Sequence, residues 1–195
     1  MKKKWFVPAL VGACLVFLYL ETFVAPGTPR VATGDQAIYL HDAARMLDGQ
    51  LIYRDFDHFT FPGMQVWYLA LFKLFGVRAW IPQVMLLLIG TAMAWLSFRI
   101  SRTLMSGASA LLASLLFLLL PFSSYLDATH HWYSALAATA TLAVVLRERT
   151  TTRLVWAGFL LGLAACFAKR WPYRQLASAY FWCGSADGEA KRCAC

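Results

Sequence analysis

Apolar positions along the chain fall into long runs separated by short polar stretches. "WFVPALVGACLVFLYLETFV" (Trp5–Val24), "WIPQVMLLLIGTAMAWLSFRI" (Trp80–Ile100) and "ASALLASLLFLLLPFSSYL" (Ala108–Leu126) each approach the roughly 18–20 residues that cross a bilayer as a helix. "WYSALAATATLAVVL" (Trp132–Leu146) reads as a fourth such segment that begins a few residues earlier, and "LVWAGFLLGLAACF" (Leu154–Phe167) starts a fifth. A helix satisfies its own backbone polar groups in lipid. The pattern therefore predicts an all-α, polytopic transmembrane protein of about five spans. The runs are rich in Ala, Gly and Ser, which let helices approach closely.

The polar region 25–78 predicts two further helices outside the spans. In "GDQAIYLHDAARMLDG" (Gly34–Gly49), Ala37, Leu40, Ala44 and Leu47 share one helical face, and His41, Arg45 and Asp48 share another. Thr33 with Gln36 fits a capping box and Gly49 fits a C-terminal cap. Such a helix can lie on the bilayer across the top of the spans. "PGMQVWYLALFKLFG" (Pro62–Gly76) is apolar and aromatic. Only about 12 residues separate its glycines, too few for a full crossing, so an interfacial or re-entrant helix is predicted.

Charge supports this assignment. If Pro62–Gly76 does not cross, Arg99 and Arg102, and then Arg147, Arg149 and Arg153, fall on the side of Lys2–Lys4. If it crosses, both clusters move outside, against the positive-inside bias. The expected topology has a cytoplasmic N-terminus and a non-cytoplasmic loop 25–78. In the 195-residue chain 60% of residues are hydrophobic and 14% charged, too apolar for an ordinary soluble domain. The net charge of +8 sits at the ends of the apolar runs, while Glu21, Asp35, Asp42, Asp48, Asp55 and Asp57 gather in one region. That is a topology signal rather than a nucleic-acid stripe. The first run follows a basic start, as a signal peptide would, but it exceeds the usual core of about 7–15 residues and no clear A-x-A site follows. An uncleaved anchor in a multi-pass inner or plasma membrane protein is expected.

Cys14 and Cys166 lie in apolar runs, and Cys183, Cys193 and Cys195 lie in the tail, with no C-x-x-C pair. The terminal "CAC" matches a C-x-C prenylation signal, which without a matching soluble domain reads as coincidence. After Phe167 the sequence changes character inside what should still be a span, since Leu154–Phe167 supplies about 14 of the roughly 20 residues required. Residues 168–195 are thus set apart from region 1–167 as an atypical tail, left by a lost reading frame or a truncation.

The order of features between Gly34 and Gly76 resembles the GT-C glycosyltransferases, among them protein O-mannosyltransferases and aminoarabinose lipid A transferases. The residues that carry it are Asp35-Gln36, Tyr39, Ala43, Met46-Leu47, Gly49, "YRDFDHF", Pro62-Gly63, Gln65, Trp67 and "KLFG" (Lys73–Gly76). "DATHHWYSALAATATL" (Asp127–Leu142) is similar to the family's second external loop entering its fourth span. The resemblance covers about Trp5–Phe167 and implies the N-terminal part of a longer enzyme, inactive by itself for want of further spans. Two departures stand out. Gln36 replaces a frequent second acid, and Phe61-Pro62-Gly63 replaces a Lys-Pro-Pro-like element that would bring a cation to the lipid phosphate.

The resemblance implies transfer of a sugar from a polyprenyl-phosphate carrier to a glycan, lipid or protein hydroxyl outside the cytoplasm. An acceptor hydroxyl is a weak nucleophile until a base takes its proton. The resemblance assigns that base to Asp35; the structural alternative is a cap or a partner for the helix dipole. Tyr39 belongs to the matched motif. Asp55, Asp57 and His58 can hold donor phosphate through a metal, position the acceptor, or simply be solvated. His130, His131 and Asp127 can meet Asp57 and His58 and ligate a cation, or act as caps and interfacial anchors. A divalent metal is the one cofactor these residue types suggest. Arg30, Arg45 and Arg54 are candidates for the missing phosphate cation. Tyr53, Phe56, Phe59, Phe61, Trp67 and Tyr68 are expected as interfacial anchors. No Gly-rich phosphate loop, HExxH or Gly-x-Ser-x-Gly is present. The rival reading is a non-catalytic small membrane protein for transport or lipid handling, or an inactive fragment. A transporter should carry ionisable groups at mid-span, whereas here they lie at the span ends.

Overall fold

The computed structural model describes residues 5–25, 27–30, 34–58, 60–146 and 150–167. Lys2–Lys4, Thr33, Phe59, Arg147, Arg149 and the tail 168–195 lie outside the described residues. Among the described residues the fold is all-α apart from one short ladder and an isolated bridge between Ile52 and Phe56. In chain order come α1 (Phe6–Thr22), β1 (Phe23–Ala25), β2 (Thr28–Pro29), α2 (Asp35–Leu47), α3 (Gly63–Phe75), α4 (Trp80–Ser101), α5 (Gly107–Phe117), α6 (His130–Val145) and α7 (Thr151–Phe167). Each predicted helix is present within a few residues of its expected bounds. Of the described helices, α4 alone is long and apolar enough to cross a membrane by itself; α1, α7 and the stretch Gly107–Phe122 are apolar but shorter.

α4 is the central helix, with α1, α5 and α6 against it and α7 against α6. α1 buries Leu10, Cys14, Leu18 and Thr22. That strict four-residue spacing forms a ridge on one face. It meets Leu86, Ile89, Met93 and Phe98 of α4, together with Leu118 and Phe122, in one core cluster. Gly90 makes the close approach possible. A Cβ there would lie 2.6 Å from Leu18 Cδ1 and 2.8 Å from the Phe122 ring.

Two local features differ from the sequence expectation. β1 and β2 form an antiparallel ladder pairing Phe23 with Pro29 and Ala25 with Thr28, where Phe23 and Val24 were expected to end the first span and the rest to be loop. Gly27 supports the reversal at φ 82°. The predicted helix Ala108–Leu126 breaks at a π-helical turn, Leu118–Phe122, which contains Pro121. Proline has no N–H to give the ladder, and Ser123 N–H reaches back five residues to Leu118 O at 3.2 Å.

α2 and α3 build a second cluster from Tyr39, Ala43, Met64, Tyr68, Leu71 and Phe72, joined by Ile81 of α4 and Phe167 of α7. The C-terminus of α2 matches the sequence reading. Gly49 takes φ 92°, and its N–H and that of Gln50 bond Met46 O and Arg45 O, both at 3.1 Å, a Schellman closure. The N-terminus does not match. Gly34 is the cap and makes no side-chain cap bond, and Gln36 is used elsewhere. The face that α2 packs into the protein is centred away from its apolar face. Gln36, Tyr39, Asp42 and Ala43 are buried, whereas Ala37, Ile38 and Leu47 are exposed. Polar partners on other elements turn the helix.

Candidate functional site

The first turns of α2 and α6 meet. Gln36 Oε1 accepts the Ala128 N–H at 2.7 Å, so the residue predicted to cap α2 ties it to the lead-in of α6. Tyr68 of α3 donates its hydroxyl to Ala128 O at 2.7 Å. Both polar groups of Ala128 are thereby satisfied, as burial demands. Tyr68 is fully buried, which corrects its assignment as an interfacial anchor: its hydroxyl has a specific internal partner.

Around this joint the structure gathers four of the predicted site residues. Asp35 starts α2, and His130 and His131 start α6; each offers one ligand atom, all within 4.8 Å of one another. Tyr39 lies one turn after Asp35, and its hydroxyl sits 2.8 Å from His130 Nδ1. Burial pushes the Tyr39 phenol up to about 12, so it stays a neutral hydroxyl at ordinary pH. Asp127 precedes α6. Burial raises its pKa, the His131 charge opposes that rise, and the Asp35 charge adds to it. Two carboxylates therefore lie close enough to repel.

A fifth predicted residue, His58, joins from the other side of Tyr39. Their rings stack at 5.3 Å between centroids. Asp42 Oδ2 lies 2.7 Å from His58 Nδ1, a contact between two buried side chains. The Gln65 amide reaches the same nitrogen at 2.9 Å. Once Nδ1–H points at Asp42 only an acceptor suits that place, which sets the Gln65 oxygen toward the ring. His58 and the two α6 histidines are thus bridged through Tyr39 rather than joined directly. Asp57 is exposed and accepts the His58 backbone N–H at 2.9 Å.

The remaining candidates have local partners. Arg54 donates to both carboxylate oxygens of Asp55, at 2.9 and 2.8 Å. That hydrogen bond comes first in lowering Asp55 to about 2, followed by the bond from Leu51 N–H. Arg45 donates to Gln50 Oε1 at 2.6 Å and lies 4.2 Å over the Phe56 ring. Arg30 pairs with Glu21 at 3.8 Å. Tyr53 donates its hydroxyl to Thr60 O.

The sequence reading missed Asp42, Gln65 and the structural use of Gln36. Gln36, Tyr39 and Ala43 share one face at helical spacing, with Asp42 beside them, but the partners of that face lie on other elements. Below the site, Trp67 Nε1 donates to Tyr133 OH at 3.0 Å, and Tyr133 tilts over Phe167 at 5.2 Å. There an apolar cleft of about 360 Å³ runs between α4, α6 and α7, lined by Trp95, Leu96, Tyr133, Leu136, Ala137 and Leu160 among others. Toward the other end of α4, Arg99 and Arg153 line a second cleft of about 320 Å³.

No protein-family model, curated protein or solved structure matches the chain. The residues therefore carry the functional argument alone.

Proposed function

We propose that region 1–167 is the N-terminal part of a multi-pass membrane glycosyltransferase of GT-C type, an enzyme that takes a sugar from a polyprenyl-phosphate donor and passes it to an acceptor hydroxyl on the non-cytoplasmic face. Asp35 is the base that takes the acceptor proton. The observation that carries the reading is the gathering of Asp35, Tyr39, His130 and His131 at one end of a bundle whose sides are apolar.

Other observations agree. Val16 and Leu20 of α1, Leu112 of α5, Leu120 beyond it, and Val155, Trp156 and Phe159 of α7 point outward, each more than half exposed. Such faces suit lipid. Ile81, in the cluster with α2 and α3, and Arg99 are separated by about 27 Å along α4, close to a hydrocarbon thickness of about 30 Å. The polar site and the arginine cleft then fall on opposite membrane faces, with arginine inside. The apolar cleft below Tyr133 offers room for isoprenoid units. Exposed Ile38 and Leu47 suit an α2 that rests on the bilayer, with α3 interfacial beside it.

The test is photo-crosslinking in lipid vesicles, with a polyprenyl-phosphate sugar carrying a photoreactive group on the isoprene unit next to the phosphate. Adducts are expected on peptides from 34–58 and 127–133, with competition by unlabelled donor. Adducts confined to the Arg99–Arg153 end, or none that unlabelled donor displaces, would overturn the proposal.

A further inference from the structure

We propose that Asp35, His130 and His131 form a binding site for a divalent transition metal of the zinc class. This goes beyond the sugar-transfer reading and does not depend on it.

The donor set comes first. Two imidazoles and one carboxylate are the ligands of three-ligand zinc sites, which leave a fourth position for water or a ligand oxygen. Magnesium and calcium favour all-oxygen sets and are not matched by this pair of histidines.

Geometry comes second. Tetrahedral ligands bound at about 2.0–2.1 Å lie roughly 3.3 Å from one another. The three ligand atoms are within 4.8 Å of one another, so closure needs a movement of about 1.5 Å or less per pair. Two of the three can supply it. His131 is exposed and Asp35 is half-buried, while His130 is buried and fixed.

Orientation comes third. Tyr39 bonds His130 at Nδ1, so the proposed metal goes to the ring's other nitrogen. A hydrogen bond on the other ring nitrogen is the usual way a metal-binding histidine is held. Tyr39 is itself held by its stack on His58, and His58 by Asp42. The ligand is thus supported by a buried polar chain of Tyr39, His58 and Asp42.

Electrostatics comes fourth. The first turns of α2 and α6 both present positive partial charge, which disfavours a cation. Asp35 offsets this, and Asp127 adds a second carboxyl group, whose charged form Asp35 disfavours and His131 favours. A bound cation would relieve the carboxylate repulsion. If Asp35 binds the metal through one oxygen, its second oxygen remains for a proton, so metal binding and the base role are compatible.

The test uses the full 195-residue chain in detergent, with Cys183, Cys193 and Cys195 changed to Ser so that tail thiolates do not compete for soft metals. Co²⁺ serves as the spectroscopic probe and Zn²⁺ as its competitor. One Co²⁺ per chain is expected, with a tetrahedral nitrogen–oxygen spectrum that Zn²⁺ abolishes. His131→Ala and Asp35→Asn are each expected to weaken Zn²⁺ by at least about 10-fold, and the supporting Tyr39→Phe by about 10–100-fold. Circular dichroism should show unchanged helicity for His131→Ala, because that side chain is exposed. His41→Ala, an exposed histidine outside the cluster, should bind as the parent does. The proposal is overturned by the absence of a tetrahedral Co²⁺ spectrum. It is overturned equally by parent-like Zn²⁺ affinity in His131→Ala, or by an equal loss in His41→Ala. Donor crosslinking can fail while Zn²⁺ still binds, so the two proposals fail separately.

Discussion

Tyr39→Phe removes one hydroxyl from the middle of the site, where it meets His130 and Thr60. The two side chains have nearly the same shape, so the ring keeps its place against His58, and the substitution removes only the hydroxyl 2.8 Å from His130 Nδ1. Tyr39 is fully buried and His130 is 2% exposed, so water does not readily replace the lost partner. A buried polar group deprived of a hydrogen bond costs about 1–3 kcal/mol, a factor of roughly 5 to 150 in the folded-to-unfolded ratio. Reversible unfolding in mixed detergent micelles, followed by far-ultraviolet circular dichroism, measures this cost. The specific claim is coupling, tested by repeating Tyr39→Phe in a His130→Ala background, where most of the penalty should disappear. If Tyr39→Phe costs the same in both backgrounds, the hydroxyl is stabilising the fold through some other contact. If it costs less than about 0.3 kcal/mol in the parent, the bond does not matter.

Asp35→Asn in the chromosomal gene should leave the amount of protein in the membrane unchanged, since Asn serves the start of a helix about as well as Asp. Transfer of the lipid-linked sugar should fall about 10²–10⁴-fold, the usual contribution of a general base; near-parental product, measured by mass spectrometry, would remove Asp35 from the mechanism. Gln36→Met keeps the volume but leaves the Ala128 N–H without its side-chain acceptor. A stability loss of about 1–3 kcal/mol should accompany faster hydrogen exchange at Ala128, and unchanged exchange would refute the tie between α2 and α6. Gly90→Val forces methyl groups against Leu18 and the Phe122 ring and should destabilise the bundle by about 1–3 kcal/mol, read from the same unfolding transitions.

Much of the fold was legible because long apolar runs and glycine punctuation are local signals. The runs at Trp80–Ile100 and Trp132–Leu146 predicted α4 and α6 to within a few residues, and Gly49 and Gly76 marked the ends of α2 and α3. The β1–β2 ladder was not legible. A pair of two- and three-residue strands carries no periodicity, and its pairing depends on the helix that precedes it. The π-turn at Leu118–Phe122 was hidden for a related reason. Pro121 announces a fault in the helix, but the packing of Phe122 against Gly90 decides whether the chain ends there or adds a residue and continues.

The facing of α2 shows why the site was only half legible. Hydrophobicity alone ranks Ala37, Leu40, Ala44 and Leu47 as the inward face, because each lacks a polar group. That ranking assumes a buried polar group pays a desolvation penalty. The penalty vanishes when partners wait on another element: the backbone of Ala128 for Gln36, His130 for Tyr39 and His58 for Asp42. These partners lie 92, 91 and 16 residues away in sequence, so no local pattern can reveal them. Hydrogen bonding to three fixed partners then outweighs the transfer of a few small apolar side chains, two of which are alanines. The helix turns so that Ala37 and Leu47 stay outside while Leu40 and Ala44 pack partly against the cluster, and Asp35, in the first turn, comes to lie beside the start of α6. The same facing of α2 is therefore what brings together the ligand set of Asp35, His130 and His131.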